Sequence, residues 1–248
     1  MIADSNAFSA PLAGHPRAPS LTARGIALPL ALRDYRLIAF DMDSTLITIE
    51  CVDEIAAAVG RKAEVAAITE AAMRGEITDF KDSLRRRVAL LAGVTEPQLQ
   101  QVYRERLRLS PGAAELLLAC KAAGLKTLLV SGGFSYFAER LRDRLALDFV
   151  RSNRLEIVDG RLTGRILPQS WGDICDGAAK RATLLTACSL IGCEPRQAIA
   201  VGDGANDLPM MAAAGLSVAY HAKPKVREQA QVTIDTGGLE RLLELFGP

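Results

Sequence analysis

Two pairs of carboxylates stand directly after short apolar runs of the sequence. Asp41 and Asp43 follow residues 37–40. Asp203 and Asp207 lie just beyond a second such run. Taken alone, an Asp-x-Asp pair after a strand also fits an ordinary turn or helix cap. Carboxylates gathered in one place raise each other's pKa values unless a cation lies among them, and oxygen ligands favour magnesium, which also binds substrate phosphate.

Two further features could hold an anion beside those acids. Ser131-Gly132-Gly133 follows another apolar run; it fits a plain strand-to-helix turn, but its N–H groups also suit an anion. Lys180 falls in the first turn of the helical pattern 177–191, where the helix dipole disfavours a cation unless an anion is near. A solvated lysine is the simpler interpretation of Lys180 alone. Together with the acids, it supplies the positive charge that a phosphoryl group needs.

The surrounding pattern predicts an α/β fold with a parallel sheet. Four apolar runs, at 37–40, 127–130, 198–201 and 216–219, have the length and composition of buried strands. Helical patterns lie between them, which is typical of parallel sheets flanked by helices. Ligands of such sheets bind beyond the carboxyl ends of the strands, so we expect the acids, Ser131 and Lys180 to meet there.

Two segments break the alternation of strand and helix. Residues 50–109 show only helical patterns, four in number, and the fourth begins with a capping box at Thr95. Residues 155–166 alternate around Asp159-Gly160, which predicts a small β-hairpin at the sheet edge. The sequence thus predicts a helical bundle inserted after the first strand, and a hairpin.

These patterns also suggest where the parts of the chain begin and end. We expect residues 1–33, which hold several prolines among small residues, to form a flexible leader. An α/β core would comprise residues 34–47 and 110–248, and the helical insertion would comprise residues 48–109.

Composition excludes several classes of function. The chain has 248 residues and a net charge of +1, and its basic residues are scattered, so we expect no nucleic-acid partner. No apolar run approaches the roughly 20 residues of a membrane-spanning helix, so we expect no membrane partner. The 5 cysteines form no Cys-x-x-Cys pair, which favours a reducing, cytoplasmic location. With only 2 histidines, metal binding would depend mainly on oxygen ligands.

The order of these motifs resembles a known superfamily. Asp41-x-Asp43-x-Thr45, Ser131, Lys180 and the run 202–207 are similar to the four motifs of haloacid dehalogenase-type phosphatases. Segments 50–56, 72–75 and 83–88 extend the similarity to the phosphoserine phosphatases, and it covers nearly everything from Leu37 onward. The resemblance implies a Rossmann-like sheet with an inserted helical cap, and hydrolysis of phosphoserine, the last step of serine biosynthesis.

The resemblance also implies a division of roles among the acids. Asp41 would be the nucleophile that forms a phospho-aspartate, and Asp43 would be the general acid and base. The cofactor would be Mg2+, held by the Asp41 carboxylate, the Asp43 backbone carbonyl and Asp203. Asp207 would orient the metal site from behind.

The phosphate and the amino-acid end of the substrate would be held by separate groups. Four of them would hold or orient the phosphate: Ser131, Gly132, Lys180 and Asn206. In the helical insertion, Glu50 would bind the ammonium and Arg87 the carboxylate; Arg87 falls inside the apolar arc of its helix. Met73 and Phe80 match apolar positions on the substrate side, although core packing is the simpler interpretation of both. The expected assembly is a monomer or a homodimer.

Other functions remain open at this point. The nearest is a phosphatase or phosphotransferase of the same fold that acts on another small phosphate ester. A receiver-like signalling module also combines an acid cluster, a hydroxyl residue and a lysine, but it has no helical insertion. A non-catalytic binder of magnesium or phosphate would leave Asp43 without a purpose.

Overall fold

A computed structural model describes residues 21–247 of the protein. Its centre is an eight-stranded sheet. The strands are β1 Leu21–Ala23, β2 Leu37–Phe40, β3 Lys126–Phe134, β4 Phe149–Val158, β5 Arg161–Leu167, β6 Ala198–Gly202, β7 Leu216–Tyr220 and β8 Val232–Ile234. The helices are α1 Cys51–Ala58, α2 Lys62–Met73, α3 Phe80–Ala89, α4 Glu96–Glu105, α5 Ala113–Ala122, α6 Ser135–Leu145, α7 Gly177–Ile191, α8 Leu208–Ala213 and α9 Pro224–Gln229.

The sheet is mostly parallel, as the sequence predicts. Its strand order is β1-β8-β7-β6-β2-β3-β4-β5, and neighbours from β8 to β4 are parallel. Only the edge strands, β1 and β5, run antiparallel to their neighbours. All four residues of β2 are buried, because β2 lies between β6 and β3 and hydrophobic clusters cover both faces of the sheet. The carboxyl end of β2, where Asp41 follows, is therefore at the middle of the sheet.

The amino-terminal segment differs from the predicted leader. Residues 21–23 pair with β8, and the carbonyl oxygen of Leu30 accepts a 2.8 Å hydrogen bond from the N–H of Gly247. Apolar side chains such as Ile26 and Leu30 pack against the core, which explains why the segment is held there despite its prolines and small residues. Only residues 1–20 of the predicted leader lie outside the described residues.

The four helices predicted for residues 50–109 are present as α1 to α4. We call this segment, residues 48–109, the helical insertion. Within it α1 packs against α2 and α4, and α2 packs against α3. The capping box is present: Thr95 Oγ1 accepts from the N–H of Gln98, and Gln98 Oε1 accepts from the N–H of Thr95.

The predicted hairpin is formed by β4 and β5. Asp159 and Gly160 both have positive φ, of 49° and 70°, as a two-residue hairpin turn requires. The hairpin does more than extend the sheet edge, because Leu162 exchanges 2.8 Å backbone hydrogen bonds with Gly93 and Val94 of the helical insertion. It therefore joins the insertion to the sheet. Among residues 21–247, no helix is long and apolar enough to cross a membrane.

Asp148, which directly precedes β4, is hydrogen-bonded to the start of β3, the strand that contains Ser131. Its Oδ2 accepts hydrogen bonds from the N–H and hydroxyl of Thr127, at 2.8 and 2.9 Å. Its Oδ1 accepts from Lys126 Nζ at 2.7 Å. Burial raises the pKa of the Asp148 carboxyl, but these hydrogen bonds outweigh burial and leave the pKa below its usual value.

We expect Asp148→Asn to lower the free energy of unfolding at pH 7 by about 1–2 kcal/mol, because hydrogen bonds to a charged acceptor are lost. Because the pKa is lower in the folded protein, the ionised carboxylate stabilises the fold at pH values above the unfolded-state pKa of about 3.9. This stabilisation is lost as the pH falls through the lower pKa of the folded state. The difference between wild type and variant, measured by urea unfolding, should therefore shrink below about pH 4. Asp143→Asn, at an exposed position of α6, is the control. A difference that stays constant from pH 7 to pH 3 would contradict this role.

Candidate active site

A cavity of about 640 Å³ lies between the carboxyl ends of the central strands and the helical insertion. From the core it is lined by the loops after β2 and β6 and by the carboxyl end of β3. From the insertion it is lined by α1, the end of α2 and α3. Nine predicted site residues line it: Asp41, Asp43, Glu50, Phe80, Arg87, Ser131, Gly132, Asp203 and Asn206. The side chain of Met73, at the end of α2, lies outside what the structure describes.

The chain turns sharply after β2 and brings Asp41 and Asp43 to the cavity. The N–H of Asp41 donates to the carbonyl of Val201 in β6 at 3.0 Å, so the backbone of Asp41 still belongs to the sheet. Residues 42–46 then form a tight turn in which Ser44 has a φ of 56°. The buried side chains of Met42 and Leu46 anchor this turn in the core. The positive φ is sparsely populated for a residue other than glycine and marks a turn that the surrounding structure enforces.

Lys180 lies in the protein interior, below the cavity. Its side chain is 0% exposed, and Nζ donates 2.6 Å hydrogen bonds to Oδ1 of Asp41 and to Oδ1 of Asp207. Burial alone would lower the pKa of Lys180, but the charges of Asp207 and Asp41 outweigh it and raise the pKa. Lys180 is therefore a fixed positive charge. Asp176, the N-cap of α7, accepts from the N–H of Ala179 at 2.9 Å and so fixes the helical turn that carries the lysine.

Both carboxylate oxygens of Asp207 accept hydrogen bonds. Its Oδ1 accepts from Lys180, and its Oδ2 accepts from the N–H groups of Asp203 and Gly204 at 3.2 and 2.9 Å. A Cβ at position 202 would lie 2.5 Å from Cβ of Asp207, so only glycine fits there. Asp207 is therefore suited to orient its neighbours, because both of its oxygens are already engaged.

Three acids form a cluster that could hold a metal ion. Ligand oxygens of Asp41, Asp203 and Asp207 lie within 4.8 Å of one another. Burial raises the pKa of Asp41 well above its usual value, and the charge of Asp207 adds to it, whereas Lys180 opposes it. Burial and the charge of Asp207 likewise raise the pKa of Asp203 to about 6. A cation would relieve this repulsion, so the donor set fits a hard divalent ion.

Asp43 is suited to exchange a proton near neutral pH. Burial raises the pKa of Asp43 to about 7, and the charge of Glu50 adds to the shift. The N–H of Cys51 donates to its Oδ2 at 3.3 Å, whereas its buried Oδ1 has no hydrogen-bond partner among the described residues. A carboxyl with a pKa near 7 and one unengaged oxygen can both give and accept a proton.

Residues 131–133, which the sequence suggested as a turn, form the carboxyl end of β3 and have a fixed shape. Ser131 Oγ accepts from the N–H of Gly133 at 2.8 Å. The carbonyl of Gly132 accepts from the side chain of Asn153 at 2.7 Å, and Asn153 in turn accepts from the N–H of Cys175 at 2.8 Å. A Cβ at position 132 would lie 3.1 Å from Phe80, which places the Phe80 ring against this end of β3.

Glu50 and Arg87 approach the cavity from the helical insertion. Glu50 Oε1 accepts from the hydroxyl of Ser44 at 2.8 Å. Arg87 is half-buried, while its neighbours Arg85 and Arg86 are exposed and form ion pairs, with Asp173 and Asp82 respectively. Arg87 thus lies on the inner face of α3, as its position in the apolar arc predicts. Burial lowers the pKa of Arg87, and the charges of Glu50, Asp53 and Asp43 oppose that effect.

Sequence reasoning missed three other residues at the site. Thr45 donates its hydroxyl to Asp203 Oδ1 at 3.1 Å. Asp53 and Lys223 line the cavity. Lys223 follows soon after β7, so the rule that sites lie beyond strand ends could have indicated it. Nothing in the local pattern distinguishes Asp53 from any acid in the first turn of a helix.

We expect Lys180→Met to lower kcat by about 10²–10³-fold, because a fixed positive charge beside Asp41, the predicted nucleophile, is lost. Phosphate release under saturating substrate measures this. Lys62→Met, at an exposed position away from the cavity, should leave kcat unchanged. A Lys180→Met variant that unfolds at the wild-type temperature and keeps a wild-type kcat would contradict a catalytic role for Lys180.

Comparison with known proteins agrees with this geometry. The haloacid dehalogenase-like hydrolase family model matches residues 35–215. A phosphoserine phosphatase of Albidiferax ferrireducens is 69% identical over 236 residues, which are 94% of this chain and 100% of that protein.

Two solved structures share the fold at 36% identity and a TM-score of 0.79. One is a phospho-aspartyl intermediate analogue of phosphoserine phosphatase, and the other is a substrate-bound phosphoserine phosphatase complex. Each is matched over 86% of this chain and 99% of its own. The chain therefore belongs to the haloacid dehalogenase-like hydrolases, metal-using enzymes, and within them to the phosphoserine phosphatases.

Proposed function

We propose that this chain hydrolyses O-phospho-L-serine to L-serine and phosphate, with Mg2+ as cofactor and Asp41 as the residue that carries the phosphoryl group. The observation that carries the proposal is the buried contact of Lys180 with both Asp41 and Asp207. A permanent cation against a carboxylate at the end of the central strand favours a nucleophile over a structural acid.

In the first step, a carboxylate oxygen of Asp41 attacks phosphorus and the bond from phosphorus to the serine oxygen breaks. Asp43 donates its proton to the departing oxygen, which yields L-serine and an acyl phosphate on Asp41. The pKa of about 7 supports this role, because an ordinary aspartate would carry little proton at neutral pH.

In the second step, water attacks the phosphorus of the acyl phosphate. Asp43, now ionised, accepts a proton from that water, and the bond from phosphorus to the Asp41 oxygen breaks. Phosphate leaves, and Asp41 and Asp43 return to their starting protonation states. One carboxyl thus serves as acid and then as base.

The phosphoryl group requires donors on its other oxygens throughout. We assign this to the Ser131 hydroxyl, the Gly132 N–H and the Lys180 ammonium, with Asn206 at the rim as a further orienting group. The hydrogen bond from Asn153 to the Gly132 carbonyl supports this, because it fixes the peptide that would face the phosphate.

Mg2+ would be held by the Asp41 carboxylate, the Asp43 backbone carbonyl and Asp203, with Asp207 orienting them through its bonds to Lys180 and the 203–204 backbone. When bound, it supplies positive charge that offsets repulsion between the carboxylate nucleophile and the phosphate. The raised pKa values of Asp41 and Asp203 support a cation at this place.

The amino-acid end of the substrate would be bound by the helical insertion, acting as a cap over the core. Glu50 would accept from the ammonium, and Arg87 would donate to the carboxylate as a bidentate fork. The half-buried, inward position of Arg87 supports this assignment. Phe80, and Met73 at the end of α2, would supply apolar contacts to the substrate.

In the cell, this reaction is the last step of serine biosynthesis, and we place the enzyme in the cytoplasm as a monomer or a homodimer. In domain terms, the core would be residues 34–47 and 110–248, and the cap residues 48–109. A receiver-like module is the second candidate, because receivers also combine an acid cluster with a lysine. The helical insertion over the cavity argues against it.

We expect phosphoserine to be among the best substrates by kcat/KM in a panel that includes sugar phosphates and phosphoglycolate, because the cavity offers both an acid and an arginine to a zwitterion. Removal of divalent ions with a chelator should abolish turnover, and added Mg2+ should restore it. Colorimetric phosphate release measures both.

Two arms make this test decisive. Arg87→Ala should raise KM for phosphoserine, whereas Arg86→Ala, a neighbour exposed on the same helix, should not. If each protein molecule releases many phosphates, the protein is not a receiver, which accepts one phosphoryl group per molecule. Preference for another phosphate ester, or an unchanged KM in Arg87→Ala, would refute the proposed substrate.

A further inference from the structure

Asp53 is a half-buried acid at the cavity, and the proposed mechanism gives it no role. It lies in the first turn of α1 and lines the same cavity as Arg87. Its Oδ1 atom is shut off from solvent and accepts no hydrogen bond from any described residue. An enclosed carboxylate oxygen without a donor is unfavourable, so its presence at the cavity calls for a reason.

Arg87, in turn, has N–H donors without acceptors in the described part of the chain. Its only hydrogen bond among the described residues is a weak one, 3.4 Å from Nε to the carbonyl of Ser83 on its own helix, and it forms no ion pair there. A guanidinium carries five N–H donors, and most of those of Arg87 are therefore unused. Asp53 is one of the acids whose charge acts on this guanidinium.

Glu50, the other cavity acid near the start of α1, differs from Asp53 in its hydrogen bonding. Glu50 Oε1 already accepts from the hydroxyl of Ser44, which belongs to the turn after β2. Asp53 lies about one helical turn further along α1, and α1 and α3 both pack against α2. The cavity therefore has two acids on one helix: one tied to the core, and one with an oxygen that lacks a partner.

We propose that Asp53 is a positioning residue for Arg87: when substrate binds, the free Oδ1 of Asp53 accepts from one edge of the guanidinium and leaves the other edge to the substrate's carboxylate. The planar, rigid fork of arginine allows two carboxylates to bind it at different edges. Without Asp53, Arg87 would still carry its charge but would sample other orientations. This inference rests on the proposed function, in which Arg87 binds the carboxylate of phosphoserine.

The alternative for Asp53 is direct contact with the substrate's ammonium group. The two roles separate with substrates that lack one of the two groups. O-Phosphoethanolamine keeps the ammonium and lacks the carboxylate, whereas phosphoglycolate keeps a carboxylate and lacks the ammonium. A residue that acts through Arg87 affects only ligands with a carboxylate.

The test is the Asp53→Asn variant, which keeps the shape and removes the charge. We expect KM for phosphoserine to rise about tenfold with kcat changed by less than about threefold, because binding and not chemistry is weakened. KM for phosphoglycolate should rise by a similar factor, and KM for phosphoethanolamine should not rise. Where turnover of either compound is slow, its Ki as an inhibitor of phosphoserine hydrolysis is measured instead. Asp53→Glu, which restores the charge, should recover part of the loss.

Two controls distinguish positioning from a general effect on folding. Glu54→Gln changes the next acid of α1, which pairs with Arg106 outside the cavity, and should leave every constant unchanged. In the Arg87→Ala background, Asp53→Asn should add little, because the group through which it acts is gone.

An unchanged KM for phosphoserine in Asp53→Asn, an equal rise for phosphoethanolamine, or full additivity with Arg87→Ala would each overturn the inference. Failure of the proposed function would be seen separately, as wild-type enzyme that does not hydrolyse phosphoserine.

Discussion

The site depends on the burial of one cation between two carboxylates. Lys180 has no exposed surface, and its contacts with Asp41 and Asp207 make its charge tolerable in the interior. The three residues come from the end of β2, the start of α7 and the loop after β6. Their meeting therefore requires that the strand order, the helix start and the loop all be correct. Removing Lys180 would leave two buried carboxylates without their cation, and removing either acid would leave Lys180 with one acidic partner.

This constraint explains why the polar groups around it are so fully engaged. Asp207 accepts two backbone N–H bonds besides that of Lys180, and Gly202 is small because Asp207 lies against it. Among the described residues that line the cavity, unused hydrogen-bonding capacity is found at Oδ1 of Asp43, Oδ1 of Asp53 and the guanidinium of Arg87. The structure thus separates the hydrogen-bonded network that holds Asp41 from groups that suit a ligand.

Sequence reasoning predicted what depends on local pattern and on general rules of parallel sheets. The strands before Asp41 and Asp203, the place of Lys180 in its helix and the capping box at Thr95 all agree with the structure, whereas the strand predicted to end before Ser131 continues to Phe134. It did not predict the strand at residues 21–23, because that strand exists only through its pairing with β8.

The same limit applies within the site. Asn153 and Asp53 gain their roles from partners far away in sequence, and neither is distinguished by its neighbours. For substrate recognition, the inward face of α3 could be predicted from periodicity, but what Arg87 meets there depends on how α1 packs.

If Asp41, held by Lys180, carries the phosphoryl group, the enzyme is covalently phosphorylated during turnover. Rapid acid quenching of the enzyme with phosphoserine, followed by protease digestion and mass spectrometry of the peptide that contains Asp41, detects that intermediate. We expect an added phosphoryl group on Asp41 within the first turnover, and none in Asp41→Asn. Phosphate release at the wild-type rate with no phosphorylated Asp41 peptide, or with the label on another residue, would contradict it.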